Sequence, residues 1–282
     1  MNKGLVILDF DGTITDVDQE AIPFVENYKE NMANDLGISR ENLEQRWLKA
    51  QKVIESNPSR YGWLSNGKIV APAYADPLIM SRTIAGLLLD EANRYSNNNR
   101  LANSSSREIV LDEYFKKSYP YMGIVFKKDA DNFLTTLSDS IDTCIVTNSK
   151  TDGVRKKISH LPTGHFDIPI YGDAKKYLLD DTWNDAPESV SLEGFGRPLF
   201  LRRQKYYETL EMVKLERQVG PYNVFVVGDV YELDLLLPAY MRMNIILTPR
   251  KSTPQFEIDA VKSSQFGKVA YSLNEVLDHI LV

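Results

Sequence analysis

Cysteine is nearly absent from this sequence, which contains one cysteine among 282 residues. A single cysteine forms no disulfide within the chain, so a small fold held together by disulfides is excluded. That residue, Cys144, lies in the apolar run "IDTCIV", which indicates a small buried side chain rather than a reactive thiol.

An excess of positive charge is also missing, because 33 lysine and arginine residues stand against 39 aspartate and glutamate residues, a net charge of −6. This balance gives no support to a surface that binds a polyanion, so no nucleic-acid partner is expected.

Long apolar runs are lacking at the start of the chain, where apolar or glycine positions extend only from Gly4 to Leu8 before charge appears. Such a run is too short for a signal peptide or a membrane span. We therefore expect a cytoplasmic protein without a membrane partner.

Short apolar runs, in contrast, recur along the chain, and its 43% hydrophobic composition allows one large domain or two moderate ones. Each run has the length of a strand, is rich in β-branched residues and is separated from the next by a segment with helical spacing. This order predicts an α/β fold, a Rossmann-like doubly wound parallel sheet. The runs are "LVIL" at 5–8, "CIVT" at 144–147, "VFVV" at 224–227 and "NIILT" at 244–248.

The interval between the first two runs is far longer than a crossover between parallel strands requires. Its sequence alternates charged and apolar residues at helical spacing, as in "ENLEQRWLKAQKVIE" after Ser39. We therefore predict a core made of residues 1–16 and 127–282, with a mostly helical module inserted at 17–126.

Polar residues follow three of the predicted strands. Because the carboxyl ends of parallel strands meet at one edge of the sheet, these residues are expected to converge in one crevice. They are Asp9 and Asp11, Thr147 and Asn148, and Gly228 and Asp229.

Asp9 and Asp11 are two residues apart, so in an extended segment their carboxylates share a face. Either one of them holds a proton or a divalent cation such as Mg²⁺ lies between them, with Asp229 as a further oxygen ligand. Such a site suits phosphoryl transfer, in which one carboxylate attacks phosphorus and the other acts as acid and base. Gly12 leaves room for the phosphate, and the Thr147 hydroxyl can donate to it.

Three motifs at these strand ends resemble those of the haloacid dehalogenase-like hydrolase superfamily. "DFDGTITD", which begins at Asp9, is similar to the DxDGT first motif of its phosphatases. "IVTNSK", from Ile145, and "VFVVGDVYELD", from Val224, are similar to the second and fourth motifs. The resemblance implies a phosphatase whose inserted module is a helical C1 cap that selects the substrate.

The resemblance also assigns roles to individual residues. Asp9 would be the nucleophile that forms an aspartyl phosphate, and Asp11 the general acid and base. Mg²⁺ would be bound by Asp9, by Asp229 and by the backbone carbonyl of Asp11. Gly12, Thr147 and Asn148 would bind the phosphate of a small phosphorylated substrate. The second aspartate favours phosphate-ester chemistry, because the carbon–halogen hydrolases of the superfamily lack it.

The third motif of the superfamily, a lysine or arginine at the start of a helix, has no clear signature in this chain. Lys205 and Arg203 lie at about the expected distance before the fourth motif, and Lys176 is more distant. We favour Lys205, with Arg203 as the alternative. We expect Asp234 to be an outer-shell acid of the metal site, with Glu232 in reserve.

Other interpretations of the same residues stay open. A phosphomutase of the same superfamily would use the same aspartates, and a non-catalytic phosphate-binding or scaffold protein would keep only the fold. In the inserted module, Arg60, Tyr61, Trp63 and Lys68 are candidates for contacting the substrate, although we favour a role in the core or at the interface of the module. The segment 177–198 carries no motif.

Overall fold

The computed structural model describes residues 4–95 and 104–281. The helices are α1 Val17–Glu20, α2 Ile22–Leu36, α3 Arg40–Glu55, α4 Pro77–Tyr95, α5 Ser104–Ser118, α6 Ala130–Ser140, α7 Thr151–Ile158, α8 Gln204–Glu216, α9 Leu236–Tyr240, α10 Gln255–Ser263 and α11 Leu273–Leu281. The strands are β1 Leu5–Leu8, β2 Gly62–Ser65, β3 Lys68–Pro72, β4 Asp142–Val146, β5 Ile170–Tyr171, β6 Ser189–Val190, β7 Leu199–Phe200, β8 Val224–Gly228, β9 Asn244–Leu247 and β10 Gly267–Val269.

A six-stranded sheet in the order β10-β9-β8-β1-β4-β5 forms the framework of the site. Every neighbouring pair is parallel, and helices such as α6 and α10 pack against it. The predicted α/β fold with a doubly wound parallel sheet is therefore confirmed. Within residues 4–95 and 104–281, no helix has the length and apolar character needed to span a bilayer.

The first strand is apolar throughout because both of its faces are covered. Leu5 and Ile7 pack into one hydrophobic cluster, whereas Val6 and Leu8 pack into another on the opposite face. This burial explains why "LVIL" shows no alternation of polar and apolar residues. The neighbouring Cys144 on β4 is fully buried, and burial raises the pKa of its thiol to about 12. The predicted burial of this side chain is confirmed.

The chain divides into two compact units. The sheet unit comprises residues up to Asp16, Leu64–Ala71 and Phe126 onwards, and the helical unit comprises Val17–Trp63 and Pro72–Val125. The predicted boundaries at residues 16 and 127 lie within one residue of those of the sheet unit. The difference is Leu64–Ala71, which lies inside the inserted stretch of sequence but belongs to the sheet unit.

Leu64–Ala71 is the outer part of a hairpin formed by β2 and β3. Its turn residues, Asn66 and Gly67, both have positive φ, 51° and 74°, the conformation that favours Asn-Gly in a two-residue hairpin turn. The Asn-Gly pair is thus the sequence signal for a hairpin that we had not predicted.

The segment 177–198 holds this hairpin. Lys68 Nζ lies 2.8 Å from Asp181 Oδ1 and 2.8 Å from Glu188 Oε1, and Arg197 Nη1 donates to the carbonyl of Ile69 at 3.0 Å. Lys68, a candidate for contacting the substrate, therefore pairs with carboxylates of the sheet unit. The segment without a motif thus docks the hairpin within that unit.

Arg203 also contacts the hairpin, through a buried side chain. It is fully buried and donates to three backbone carbonyls: to Phe200 at 3.0 Å, to Val70 at 2.8 Å and to Lys176. Glu232 lies 3.7 Å from its guanidinium group. One side chain therefore ties the hairpin to the backbone at Lys176.

Replacing Arg203 by methionine is expected to lower the free energy of unfolding by about 3 kcal/mol or more. The three carbonyls would lose their donor while remaining buried, and Glu232 would lose one of its cationic neighbours. Denaturant unfolding measures this difference. The control is Arg202→Met, which removes a half-buried neighbour and should cost about 1 kcal/mol or less. Equal destabilisation by both variants would contradict the role given to Arg203.

Candidate active site

Asp9 is the first residue after β1, and its side chain is buried. Its backbone N–H donates to the carbonyl of Val227 at 2.8 Å, which extends the pairing with β8 by one residue. Its carboxylate accepts from Lys176 Nζ at 2.7 Å on Oδ1 and from Thr13 Oγ1 at 3.2 Å on Oδ2. Lys176 and the turn that follows β1 therefore hold this carboxylate from two sides.

Two further buried carboxylates, Asp229 and Asp234, come from the end of β8. Asp229 follows the strand directly, and Asp234 lies on the π-helical turn Tyr231–Leu235. Asp234 accepts from Lys176 Nζ at 2.9 Å on Oδ1 and from the Val230 N–H at 3.1 Å on Oδ2. Carboxylate oxygens of Asp9, Asp229 and Asp234 all lie within 4.8 Å of one another. This buried aspartate cluster can hold a metal ion.

Gly12 closes one side of this cluster. Its φ is +86°, and a Cβ placed there would lie 2.3 Å from Asp229 Oδ2. Both the left-handed conformation and the close approach of the backbone to the carboxylate require glycine. Gly12, which we expected to leave room for the phosphate, therefore lies against the Asp229 carboxylate.

Asp11 lies in a turn rather than in an extended segment, because β1 ends at Leu8 and residues 11–14 form a turn. The expectation that Asp9 and Asp11 share one face of a strand is wrong in that respect. The Asp11 carboxylate instead accepts from Ser149 Oγ at 2.6 Å and lies 2.8 Å from Lys157 Nζ. It is 27% exposed, in contrast to the buried aspartate cluster.

Thr147 and Asn148 shape the loop after β4. The Thr147 hydroxyl oxygen accepts from the Ser149 N–H at 3.1 Å, so its own proton is available to another acceptor. Asn148 Oδ1 accepts from the backbone N–H of Lys176 at 2.8 Å. Both residues therefore connect the end of β4 to the groups that surround Asp9 and Asp11.

Burial dominates the electrostatics of the cluster. It raises the pKa of Asp9 well above the usual range for aspartate, while Lys176 opposes the shift. Burial also raises the pKa of Asp229 to about 7, against the effect of Arg250. For Lys176, burial lowers the pKa, but Asp234 and Asp9 outweigh it and the net shift is upwards. The lysine therefore stays charged between two aspartates.

Comparisons with known proteins locate this arrangement in a known fold. No protein-family model matches the sequence, and no curated protein matches it. Among solved structures, the chain is similar to a predicted phosphoglycolate phosphatase from Haemophilus somnus, with a TM-score of 0.53, 13% identity and coverage of 99% of this chain and 98% of that one. It is also similar to the putative hydrolase YfnB from Bacillus subtilis, solved with magnesium bound, with a TM-score of 0.52, 13% identity and full coverage of both chains.

A haloacid dehalogenase-like hydrolase from Xanthomonas campestris gives a TM-score of 0.51 at 10% identity, with 99% of this chain and 91% of that one covered. The chain has the haloacid dehalogenase-like fold. The segments that resemble the first and fourth motifs of the superfamily, at Asp9 and Asp229, follow β1 and β8, which are adjacent strands of the sheet.

Our expectation that Lys205 or Arg203 accompanies the aspartates needs correction. Lys205 is exposed at the start of α8, so it is not part of the buried aspartate cluster. Arg203 is buried, but its guanidinium group contacts backbone carbonyls and Glu232. The structure brings Lys176 to Asp9 instead. Lys176 follows β5, a strand of two residues that we did not predict, so the sequence offered this lysine only as the more distant candidate.

Two further cations were missed. Arg250 Nε lies 2.7 Å from Asp229 Oδ2, and its side chain is only 6% exposed. Lys127 Nζ lies 3.5 Å from Thr248 Oγ1; burial lowers the pKa of this lysine, and Asp229 opposes the shift. Arg250 follows β9, so the rule applied to the other strand ends would have found it.

The remaining predicted residues lie elsewhere. Glu232, the reserve acid, is buried beside Arg197, whose Nη1 donates to its Oε1 at 2.9 Å. In the helical unit, Arg60 and Tyr61 help to line a cleft of about 660 Å³, with the guanidinium group 5.6 Å from the ring centroid.

Proposed function

We propose that this protein is a Mg²⁺-dependent phosphatase that hydrolyses a small-molecule phosphate monoester through an aspartyl phosphate at Asp9. The observation that carries the proposal is the buried aspartate cluster with Lys176 between Asp9 and Asp234. A carboxylate held at the end of a rigid strand beside a buried cation is suited to attack on phosphorus.

The donor set fits Mg²⁺, which prefers oxygen ligands and is bound through one or two carboxylates. Asp9 and Asp229 would hold the ion together with the backbone carbonyl of Asp11. Asp234 would be the outer-shell acid, which shares Lys176 with Asp9 and accepts from the Val230 N–H. When bound, Mg²⁺ would neutralise negative charge on the phosphoryl oxygens and orient the phosphorus towards the nucleophile.

In the first step, a carboxylate oxygen of Asp9 bonds to phosphorus while the bond to the ester oxygen breaks. Lys176 offsets the charge around the nucleophile, and the Thr147 hydroxyl and the Asn148 amide donate to the phosphoryl group. Asp11 gives a proton to the departing alkoxide.

In the second step, Asp11 takes a proton from a water molecule that attacks the same phosphorus. The bond between phosphorus and Asp9 breaks, which releases inorganic phosphate and restores the carboxylate. The helical unit would be the C1 cap that selects the organic part of the substrate.

The test is hydrolysis of a panel of phosphate monoesters, from p-nitrophenyl phosphate to sugar and alkyl phosphates, with Mg²⁺ or with a chelator. Asp9→Asn keeps the shape of the side chain but removes the nucleophile, so its activity should fall to background. Asp139→Asn, at an exposed position in α6, is the matched control and should keep the activity of the wild type. Mass spectrometry of acid-quenched wild-type protein should detect one phosphoryl group, which is absent from Asp9→Asn.

The alternatives give different results in the same assay. A phosphomutase would form the phosphorylated protein but transfer the group to a second substrate hydroxyl rather than to water. A non-catalytic phosphate-binding protein would show neither turnover nor phosphorylation. Turnover that persists in Asp9→Asn would contradict the proposed mechanism.

A further inference from the structure

The acid and base Asp11 is held by two residues that the mechanism above leaves without a role. Ser149 Oγ donates to its Oδ2 at 2.6 Å, and Lys157 Nζ donates to its Oδ1 at 2.8 Å. The two contacts engage both oxygens of one carboxylate, and both come from the part of the chain that follows β4. Asp11 is therefore held at two points although it is partly exposed.

Lys157 is itself placed by its surroundings. It lies near the end of α7, its side chain is 22% exposed, and its ammonium group is 5.8 Å from the centroid of the Phe10 ring. Phe10 is fully buried in the hydrophobic cluster that also contains Val154 and Ile158 of the same helix. The phenylalanine between the two aspartates thus contributes a ring face to the lysine that contacts the second of them.

Ser149 is placed by backbone contacts. Its N–H donates to Thr147 Oγ1 at 3.1 Å, and its carbonyl accepts from the Asp173 N–H at 2.9 Å. With its backbone held on both sides, the hydroxyl group is directed at Asp11 by the loop itself.

We propose that Ser149 and Lys157 are positioning residues that hold Asp11 in the orientation in which it protonates the leaving group. This inference rests on the proposed phosphatase function. A carboxyl oxygen has two acceptor sites, so Asp11 can deliver a proton from one oxygen while both contacts remain. Loss of one contact frees the side chain to leave that orientation, and misplacement of a catalytic group by about 1 Å can cost about 100-fold in rate.

The test uses the dependence of kcat/KM on the leaving group, because kcat/KM reports the step in which Asp9 attacks and the alkoxide departs. p-Nitrophenolate departs with little help from an acid, whereas an alkoxide needs a proton. Lys157→Met should lower kcat/KM about 100-fold for an alkyl phosphate and about threefold for p-nitrophenyl phosphate, within the range known for general acid catalysis. Ser149→Ala and Asp11→Asn should change the profile in the same direction.

Two matched variants separate positioning from a structural effect. Lys156→Met changes an exposed neighbour on α7 and should leave the profile as in the wild type. Lys157→Arg keeps a cationic donor and should restore part of the alkyl phosphate activity. Thermal unfolding of each variant checks that the fold is retained.

An equal loss for all leaving groups in Lys157→Met, or no loss for any, would overturn the inference. Failure of the proposed function has a different signature, since the wild-type protein would then hydrolyse no ester in a manner that depends on Mg²⁺ and Asp9.

Discussion

Lys176→Met is expected to lower kcat/KM for phosphate monoesters by about 1,000-fold, at the upper end of the effect of removing one group that stabilises charge at a reacting centre. Lys176 Nζ lies 2.7 Å from Asp9 and 2.9 Å from Asp234, and the side chain is 1% exposed. Without it, the buried carboxylates repel one another and the incoming phosphate, because charges are screened only weakly at a buried site.

The same substitution is expected to reduce stability, since it leaves buried carboxylates without their partner, a change that typically costs about 3–5 kcal/mol. Thermal unfolding with and without Mg²⁺ therefore accompanies the kinetics, and Mg²⁺ should restore part of the lost stability by binding to the folded state.

Lys205→Met and Lys175→Met are the matched controls, because Lys205 is exposed and Lys175, which is partly exposed, pairs with Asp173 rather than with the buried aspartate cluster. They should retain wild-type kinetics. An inactive Lys205→Met beside an active Lys176→Met would return the third-motif role to the residue that the sequence favours.

Gly12→Ala is expected to lower kcat/KM by about 100-fold and to weaken Mg²⁺ binding. The added Cβ would lie 2.3 Å from Asp229 Oδ2, so either the turn or the proposed metal ligand must move, and displacement by about 1 Å has this order of effect on rate. A left-handed conformation adds about 1–2 kcal/mol of strain for a residue with a Cβ. A Mg²⁺ titration followed by thermal unfolding measures the loss of affinity.

Gly37→Ala separates the two causes. Gly37 also has a positive φ, 63°, but no atom lies within 4 Å of the position of its Cβ. This variant should lose about 1 kcal/mol of stability and retain its activity and Mg²⁺ affinity. If Gly12→Ala behaved like Gly37→Ala, the close approach to Asp229 would have no functional role.

The parallel sheet was predictable because its strands are marked by composition alone. Runs of buried β-branched residues need no knowledge of their partners, and their ends carry the first and fourth motifs. The shorter strands were missed because prediction from composition needs a run of several residues. β5 has two residues, too few to show a pattern, so no predicted strand end favoured Lys176, which follows it.

The hairpin of β2 and β3 shows a second kind of limit. The Asn66-Gly67 turn was visible as a local signal, but its association with the sheet unit depends on partners more than a hundred positions away, such as Asp181 for Lys68. The role of the segment 177–198 becomes visible only when these contacts form.

By itself, the sequence determined the doubly wound fold, the inserted helical stretch and the candidate carboxylates Asp9, Asp11 and Asp229, because each depends on residues adjacent in the chain. The tertiary structure decided which cations accompany them. Lys176 reaches Asp9 across 167 positions, and Lys157 reaches Asp11 across 146. Any of the 33 lysine and arginine residues could have filled these places, since a charge at a loop or helix end looks the same in sequence whether it faces solvent or a buried carboxylate.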